Sequence, residues 1–102
     1  MRLPRVGLGT AALGGMFAPV REQDAVATIE RAWERGVRFF DTAPLYGFGR
    51  SEQYLGRVLA DKPRDEYVVA TKVGRLLRAD APPDRGQPHW RGVPALNPVF
   101  DF

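Results

Sequence analysis

The stretch Val37–Glu52 reads Val-Arg-Phe-Phe-Asp-Thr-Ala-Pro-Leu-Tyr-Gly-Phe-Gly-Arg-Ser-Glu, a short apolar run followed by a loop punctuated by proline and glycine. The apolar run predicts a buried strand that ends at Asp41, and Tyr46 follows in the loop. Parallel α/β proteins place their catalytic side chains at the carboxyl ends of such strands. The stretch therefore predicts a strand end that carries a carboxylate and, shortly after it, a phenol.

A second run, Tyr67-Val68-Val69-Ala70-Thr71-Lys72, predicts another strand with an ammonium group at its end. Neighbouring strands lie about 4.8 Å apart, so Asp41 and Lys72 at matching heights can meet. With Tyr46, they form the parts of a proton-transfer site. Structural alternatives remain open: Asp41 as a brace of the turn before Pro44, Tyr46 as an aromatic loop anchor, and Lys72 as a plain ion-pair partner of Asp41.

Strands and helices alternate along the chain. We predict strands near 6–10, 37–41 and 67–73, and helices near 22–35 and 51–60. The strands recur about every 31 residues, a spacing typical of βα units, and such alternation predicts a parallel sheet. A closed (β/α)8 barrel needs roughly 250 residues, so 102 residues accommodate about three of its units.

Three positions carry specific expectations about the helices. Gly36 is expected to end the first helix in the left-handed conformation. Ser51 is expected to cap the start of the second helix. Gly56, inside that helix, is expected to allow close packing against the sheet. Trp33, Phe39 and Phe40 are expected in the core.

Composition excludes several classes of protein. The chain contains no cysteine, which excludes disulfides and thiolate metal sites and fits a reducing, cytoplasmic compartment. The net charge of +3 is dispersed and forms no basic stripe, so no nucleic-acid partner is expected. Glycines interrupt the apolar residues near the N-terminus, and no run approaches the ~20 residues that span a bilayer.

The region 74–102 differs from the rest of the chain. It holds five of the nine prolines and has no helical or alternating pattern. We predict a long loop with short strand-like pieces around Leu76–Leu77 and Val99–Phe102. His89 in this region is expected to be a solvated loop residue, and Trp90, like Phe48 earlier in the chain, is a candidate for lining a substrate pocket.

One motif is misleading. Gly7-x-Gly9-x-x-Ala12 matches the dinucleotide-binding fingerprint of Rossmann folds. That fingerprint requires a helix that opens at its third small residue, whereas Gly14, Gly15 and Pro19 prevent a helix here. We therefore reject the Rossmann interpretation.

With these residues laid out, the chain resembles the N-terminal part of an aldo-keto reductase. The resemblance rests on motifs that run in the right order and spacing from about Val6 to Leu77: Gly7-Leu8-Gly9-Thr10, Phe40-Asp41-Thr42-Ala43-Pro44-Leu45-Tyr46-Gly47, Ser51-Glu52 with Leu55-Gly56, and Ala70-Thr71-Lys72-Val73-Gly74. Among family branches it looks most like the aldose 1-dehydrogenases, which include fucose, threo-aldose and pyridoxal dehydrogenases.

The resemblance implies a (β/α)8 barrel that binds NAD or NADP and exchanges a hydride with a small carbonyl compound or sugar. It maps the catalytic residues onto Asp41, Tyr46 and Lys72, with Tyr46 as general acid/base. It also places the backbone of Gly9 and Thr10, together with Asp41, next to the nicotinamide. No metal ligand is implied.

The chain departs from the family pattern in one respect. The family's fourth catalytic residue, a histidine that ends the fourth strand, has no counterpart, since His89 follows no apolar strand. An alternative function is therefore a catalytically incomplete fragment or a non-catalytic interaction module, which self-associates through an open sheet edge.

Overall fold

The computed structural model describes residues 2–80 and 93–100 of the chain. Three short strands pair in parallel and in sequence order. Two helices connect them, and a separate two-stranded antiparallel sheet follows. The elements are β1 (Leu8–Gly9), α1 (Glu22–Glu34), β2 (Phe39–Asp41), α2 (Arg50–Leu59), β3 (Val68–Ala70), β4 (Arg75–Arg78) and β5 (Asn97–Phe100).

The parallel sheet has a register that aligns the strand ends. Gly9 of β1 pairs with Asp41 of β2, and Asp41 pairs with Ala70 of β3. The predicted parallel α/β arrangement is confirmed. Each strand is shorter than expected because the flanking residues turn into loops, so that Thr10 and Lys72 lie beyond the strand ends.

The helix side of the sheet holds the core. Phe40 is fully buried at its centre, and Trp33 packs on the edge of the cluster against Tyr67, with ring centroids 6.1 Å apart. The buried residues of the cluster are Ala25, Ile29, Phe40, Tyr54, Leu55, Val58 and Leu59. Since side chains alternate along a strand, Phe39 and Asp41 lie on the opposite face.

Helix α1 ends as its sequence predicts. Gly36 adopts a φ of 92°, and its N–H donates to Trp33 O at 3.0 Å. The N–H of Val37 reaches back to Ala32 O at 2.9 Å. These two bonds form a Schellman motif, which satisfies the last carbonyls of the helix and turns the chain into β2.

Helix α2 corrects two expectations. Ser51 is not its N-cap: the helix begins at Arg50 after Gly49, and Ser51 lies buried within its first turn. Gly56 does not pack against the sheet, because it is exposed and a Cβ atom there would meet nothing within 4 Å. The spacing of apolar residues correctly predicted which face of α2 is buried, but it does not indicate the residue at which the helix begins.

The region after Gly74 contains more order than a loop. β4 and β5 pair antiparallel, with Leu76 opposite Val99 and Leu77 opposite Pro98. The strand-like pieces were predicted, but their pairing was not. His89 and Trp90 lie outside the described residues.

The first loop shows why the Rossmann interpretation fails. After β1 the chain makes one 3₁₀ turn at Ala12–Gly14, and the next helix opens only at Glu22. Within the described ranges, no helix is long and apolar enough to cross a bilayer.

Candidate active site

Asp41 stands at the carboxyl end of β2, between two small neighbours. Its backbone oxygen accepts hydrogen bonds from the N–H of Thr10 at 3.0 Å and from the Thr10 hydroxyl at 3.1 Å. The next residue, Thr42, donates its N–H to Ala70 O at 2.8 Å. The backbone of Asp41 is thus fixed from both adjacent strands, while its side chain remains partly open to solvent.

Lys72 reaches back from the loop after β3 to this carboxylate. Its Nζ lies 3.3 Å from both Oδ1 and Oδ2 of Asp41 and donates to Thr42 O at 3.1 Å. The side chain is half exposed. The predicted contact between Asp41 and Lys72 is confirmed.

Tyr46 completes the group. Lys72 Nζ lies 4.9 Å from the centroid of the Tyr46 ring, and the ammonium also hydrogen-bonds with the tyrosine's hydroxyl. Tyr46 is carried by a tight turn, in which Gly47, Phe48 and Gly49 all have positive φ values. This left-handed run folds the loop back over the end of β2.

The electrostatics of Lys72 reflect its two partners. Partial desolvation lowers the pKa of Lys72, but hydrogen bonds to Tyr46 and Asp41 and the charges of both groups outweigh it, so the pKa is raised above its ordinary value. The lysine is therefore a cation at neutral pH, with its charge directed at a phenol and a carboxylate.

Asp41 is flanked by a bare surface. Its register partners are Gly9 and Ala70, and a Cβ atom built on Gly9 meets nothing within 4 Å. Among the described residues, no side chain therefore blocks the approach of a flat group to the backbone of Gly9. These residues therefore fit the edge of a planar ring such as a nicotinamide.

Thr10 lies behind this surface. Its side chain is fully buried, its hydroxyl and N–H donate to Asp41 O, and its carbonyl accepts from Ser51 Oγ at 2.7 Å. The Thr10 side chain therefore points into the interior, while the expected position of the Gly9 and Thr10 backbone next to the nicotinamide stays a prediction. Thr10 instead supports Asp41 and Ser51 from the interior.

A cavity of about 320 Å³ opens beside the Tyr46–Lys72 pair. Its lining is mostly apolar, with Arg75 as a second cation, and consists of Ala43, Pro44, Leu45, Tyr46, Lys72, Val73, Gly74 and Arg75. Phe48, a candidate for pocket lining, is not among these residues. A small polar molecule in this cavity would have the phenol and the ammonium at its wall.

A second groove of about 380 Å³ is lined by residues of α2 and β3, and Tyr46 is not among them. There Glu52 accepts a hydrogen bond from the Thr71 hydroxyl at 2.8 Å, and the buried hydroxyl of Thr42 has no partner among the residues that the structure describes. No sequence motif signalled either feature. Among the described residues, no cluster of acidic or histidine side chains is arranged to hold a metal ion.

Comparison with known proteins gives consistent matches. A sequence model of the Aldo/keto reductase family matches residues 5–92. Pyridoxal 4-dehydrogenase of Microbacterium luteolum is 44% identical over 109 residues, which cover 95% of this chain and 31% of that protein. D-threo-aldose 1-dehydrogenase of Pseudomonas sp. is 50% identical over 78 residues, which cover 76% of this chain and 24% of that protein. The chain thus spans 24–31% of the length of these two curated relatives.

Solved structures agree. The glycerol dehydrogenase AKR11B4 of Gluconobacter oxydans superposes on this chain with a TM-score of 0.63 at 39% sequence identity. The superposed part is 97% of this chain and 27% of the dehydrogenase chain. The holo form of aldo-keto reductase AKR11C1 of Bacillus halodurans superposes with a TM-score of 0.59 at 32% sequence identity. The superposed part is 83% of this chain and 24% of the reductase chain. The resemblance inferred from the motifs, and the partial-barrel fold with it, is confirmed.

Proposed function

Because this chain belongs to the aldo/keto reductase family, we propose that it acts as an NAD(P)-dependent oxidoreductase on an aldose or another small carbonyl or alcohol substrate. The observation that carries the proposal is the position of Lys72, whose ammonium contacts both the Asp41 carboxylate and the Tyr46 hydroxyl. This is an acid/base group with its supporting charge already in place.

In the direction of reduction, Tyr46 donates its phenolic proton to the carbonyl oxygen as that oxygen gains negative charge. The Lys72 ammonium stabilises the phenolate that remains, and Asp41 holds the ammonium in position. In the direction of oxidation, the phenolate takes the proton from the alcohol, with the same two groups as support. A bound NAD or NADP supplies or accepts the hydride.

The bare surface at the strand ends supports a place for the nicotinamide ring. Gly9 leaves the space in front of Asp41 open, and Thr10 fixes the backbone of Asp41 from behind. We assign Asp41 and the backbone of Gly9 and Thr10 to the contact surface, and the buried Thr10 side chain supports this surface from behind. NAD and NADP remain equally compatible with these residues.

The substrate class is supported by the cavity beside Tyr46 and by the names of relatives. Its volume of about 320 Å³ suits a molecule of the size of a monosaccharide or pyridoxal. The names of relatives, which refer to D-threo-aldose and pyridoxal, support these two substrate types as the first candidates. A cysteine-free sequence agrees with a cytoplasmic location.

A second candidate function is a non-catalytic interaction module. Within the described residues, β1 and β3 each pair along one edge only, and the groove beside α2 contains the unpaired Thr42 hydroxyl. Open parallel edges favour association with another chain, including a second copy of this one. Sedimentation across a range of protein concentrations separates a lone monomer from a self-associating chain.

The proposed oxidoreductase is tested by adding NADH and NADPH to the protein and following nicotinamide fluorescence. Saturable binding at micromolar cofactor that is lost in Lys72→Met supports the proposal. Lys62→Met is the matched control, because Lys62 is the chain's other lysine and pairs with Glu30 on the helix side. Absence of binding up to millimolar cofactor, or equal loss in both variants, contradicts it.

A further inference from the structure

We propose that Ser51, together with the backbone contact between Gly14 and Gly47, is a positioning device that holds Tyr46 against Lys72. The inference rests on the proposed acid/base role of Tyr46. We assign Ser51 no contact with substrate or cofactor; it acts through the backbone of the tyrosine loop, residues 42–49 between β2 and α2. The second helix thereby does more than cover the sheet.

Ser51 links the tyrosine loop to the strand ends by an unbroken series of hydrogen bonds. Its N–H donates to Tyr46 O at 3.3 Å, and its fully buried hydroxyl donates to Thr10 O at 2.7 Å. Thr10 in turn donates its N–H and hydroxyl to Asp41 O. The backbone of the proposed acid is thus tied to the backbone of the carboxylate that holds the lysine.

The two glycines supply a contact that no other residue allows. A Cβ atom on Gly14 would lie 2.6 Å from Gly47 N, 2.7 Å from Tyr46 C and 2.8 Å from Ser51 Oγ. A Cβ atom on Gly47 would lie 2.5 Å from Gly14 O. The first loop is therefore pressed directly onto the backbone next to Tyr46.

The loop needs such a constraint. Gly47 and Gly49 have positive φ values and flank Phe48, which also has one, so the local sequence leaves the turn with wide conformational freedom. Proton transfer requires the hydroxyl within hydrogen-bond reach of the substrate oxygen. A displacement of about 1 Å can lower a rate about 100-fold, so a constraint on this backbone has a kinetic consequence.

Two variants test the device, Ser51→Ala and Gly14→Ala. Two controls match them: Thr28→Ala removes a hydroxyl that donates to the main-chain carbonyl of Asp24, and Val58→Ala destabilises the buried face of the same helix. The measurements are kcat and KM for carbonyl reduction, and the NMR titration of Lys72 Nζ in protein labelled at its two lysines.

We expect Ser51→Ala to lower kcat by about 10- to 100-fold with KM changed less than about 3-fold, since the acid is displaced and binding is not. The titration of Lys72 is expected to move toward that of an isolated lysine, because the Tyr46 contact loosens. Val58→Ala and Thr28→Ala leave both measurements as in the wild type, although Val58→Ala lowers stability.

Wild-type kcat and an unchanged Lys72 titration in Ser51→Ala overturn the positioning role, even when Tyr46→Phe abolishes turnover. Wild-type turnover in Tyr46→Phe instead overturns the proposed function. In protein without measurable turnover, the Lys72 titration alone decides the positioning role: a shift in Ser51→Ala and Gly14→Ala but not in Val58→Ala supports it, and equal behaviour of all three contradicts it.

Discussion

Lys72 Nζ lies 3.3 Å from each carboxylate oxygen of Asp41, although 31 positions of sequence separate the two residues. The contact joins the end of β2 to the loop after β3. It depends on the parallel register that sets Asp41 beside Ala70, because a shift by one residue would turn the carboxylate toward the helices.

This contact makes stability depend on pH in the alkaline range. The pKa of Lys72 is raised in the fold above its ordinary value of 10.5, so the charged lysine stabilises the fold from neutral pH up to about 10.5. The contribution is lost as pH rises through the raised pKa. Because the side chain is half exposed and screened by solvent, Lys72→Met should cost only about 0.5–1 kcal/mol at pH 7.

The measurement is urea unfolding of wild type and Lys72→Met at pH 7 and in alkaline buffer. The free-energy difference between them should shrink as the pH passes the raised pKa of Lys72. A difference that is constant or grows with pH would show that the lysine acts through packing and not through its charge.

The open surface at Gly9 predicts that a larger side chain there weakens cofactor binding without lowering the stability of the fold. Gly9→Val places a side chain in the space in front of Asp41, where no atom lies within 4 Å of the new Cβ, so the fold should accept it. Valine also favours an extended strand. We expect cofactor affinity to fall at least about 10-fold, or ~1.4 kcal/mol. The free energy of unfolding should change by less than about 0.5 kcal/mol. Unaltered cofactor affinity would remove Gly9 from the contact surface.

Replacing Gly56 with alanine should raise the stability of the chain. It is exposed, lies inside α2 and has no neighbour that a methyl group would meet. Gly56→Ala should therefore stabilise the chain by about 0.5–1 kcal/mol, since alanine loses less backbone entropy in a helix. Chemical denaturation gives the value. A loss of stability would mean that this surface of the helix is covered in solution.

Replacing each of the two adjacent phenylalanines of β2 with alanine should lower stability by different amounts. Phe40 is fully buried among the helix residues, so Phe40→Ala should cost about 3–5 kcal/mol, which is a large part of a small domain's stability. Phe39 lies half-buried on the opposite face, and Phe39→Ala should cost clearly less. Equal losses in thermal unfolding would contradict the division of the sheet into a covered face and an open one.

Much of this arrangement could be predicted from the sequence because it depends on local patterns. The run 37–40 and the polar residues behind it indicated both the strand and the position of Asp41. The regular spacing of the strands then brought Lys72 to the same edge, and a left-handed glycine at 36 ended the helix as expected.

The parts that could not be predicted depend on contacts between distant residues. Ser51 looks like a helix cap in sequence, yet its hydroxyl donates to Thr10, which lies 41 positions away. Gly14 and Gly47 look like ordinary loop glycines, and only the fold shows that they touch. The pairing of β4 with β5 likewise depends on partners at opposite ends of a long proline-rich region.

The role of Tyr46 as proton donor is tested most directly by the rate of carbonyl reduction in Tyr46→Phe compared with Tyr67→Phe. Both variants remove one phenolic hydroxyl, but Tyr67 packs against Trp33 on the helix side. We predict that Tyr46→Phe lowers kcat by about 100- to 10,000-fold, the typical size of a lost general acid, while Tyr67→Phe retains wild-type kcat. Undiminished turnover in Tyr46→Phe would contradict the acid/base role of Tyr46 and place the proton donor elsewhere.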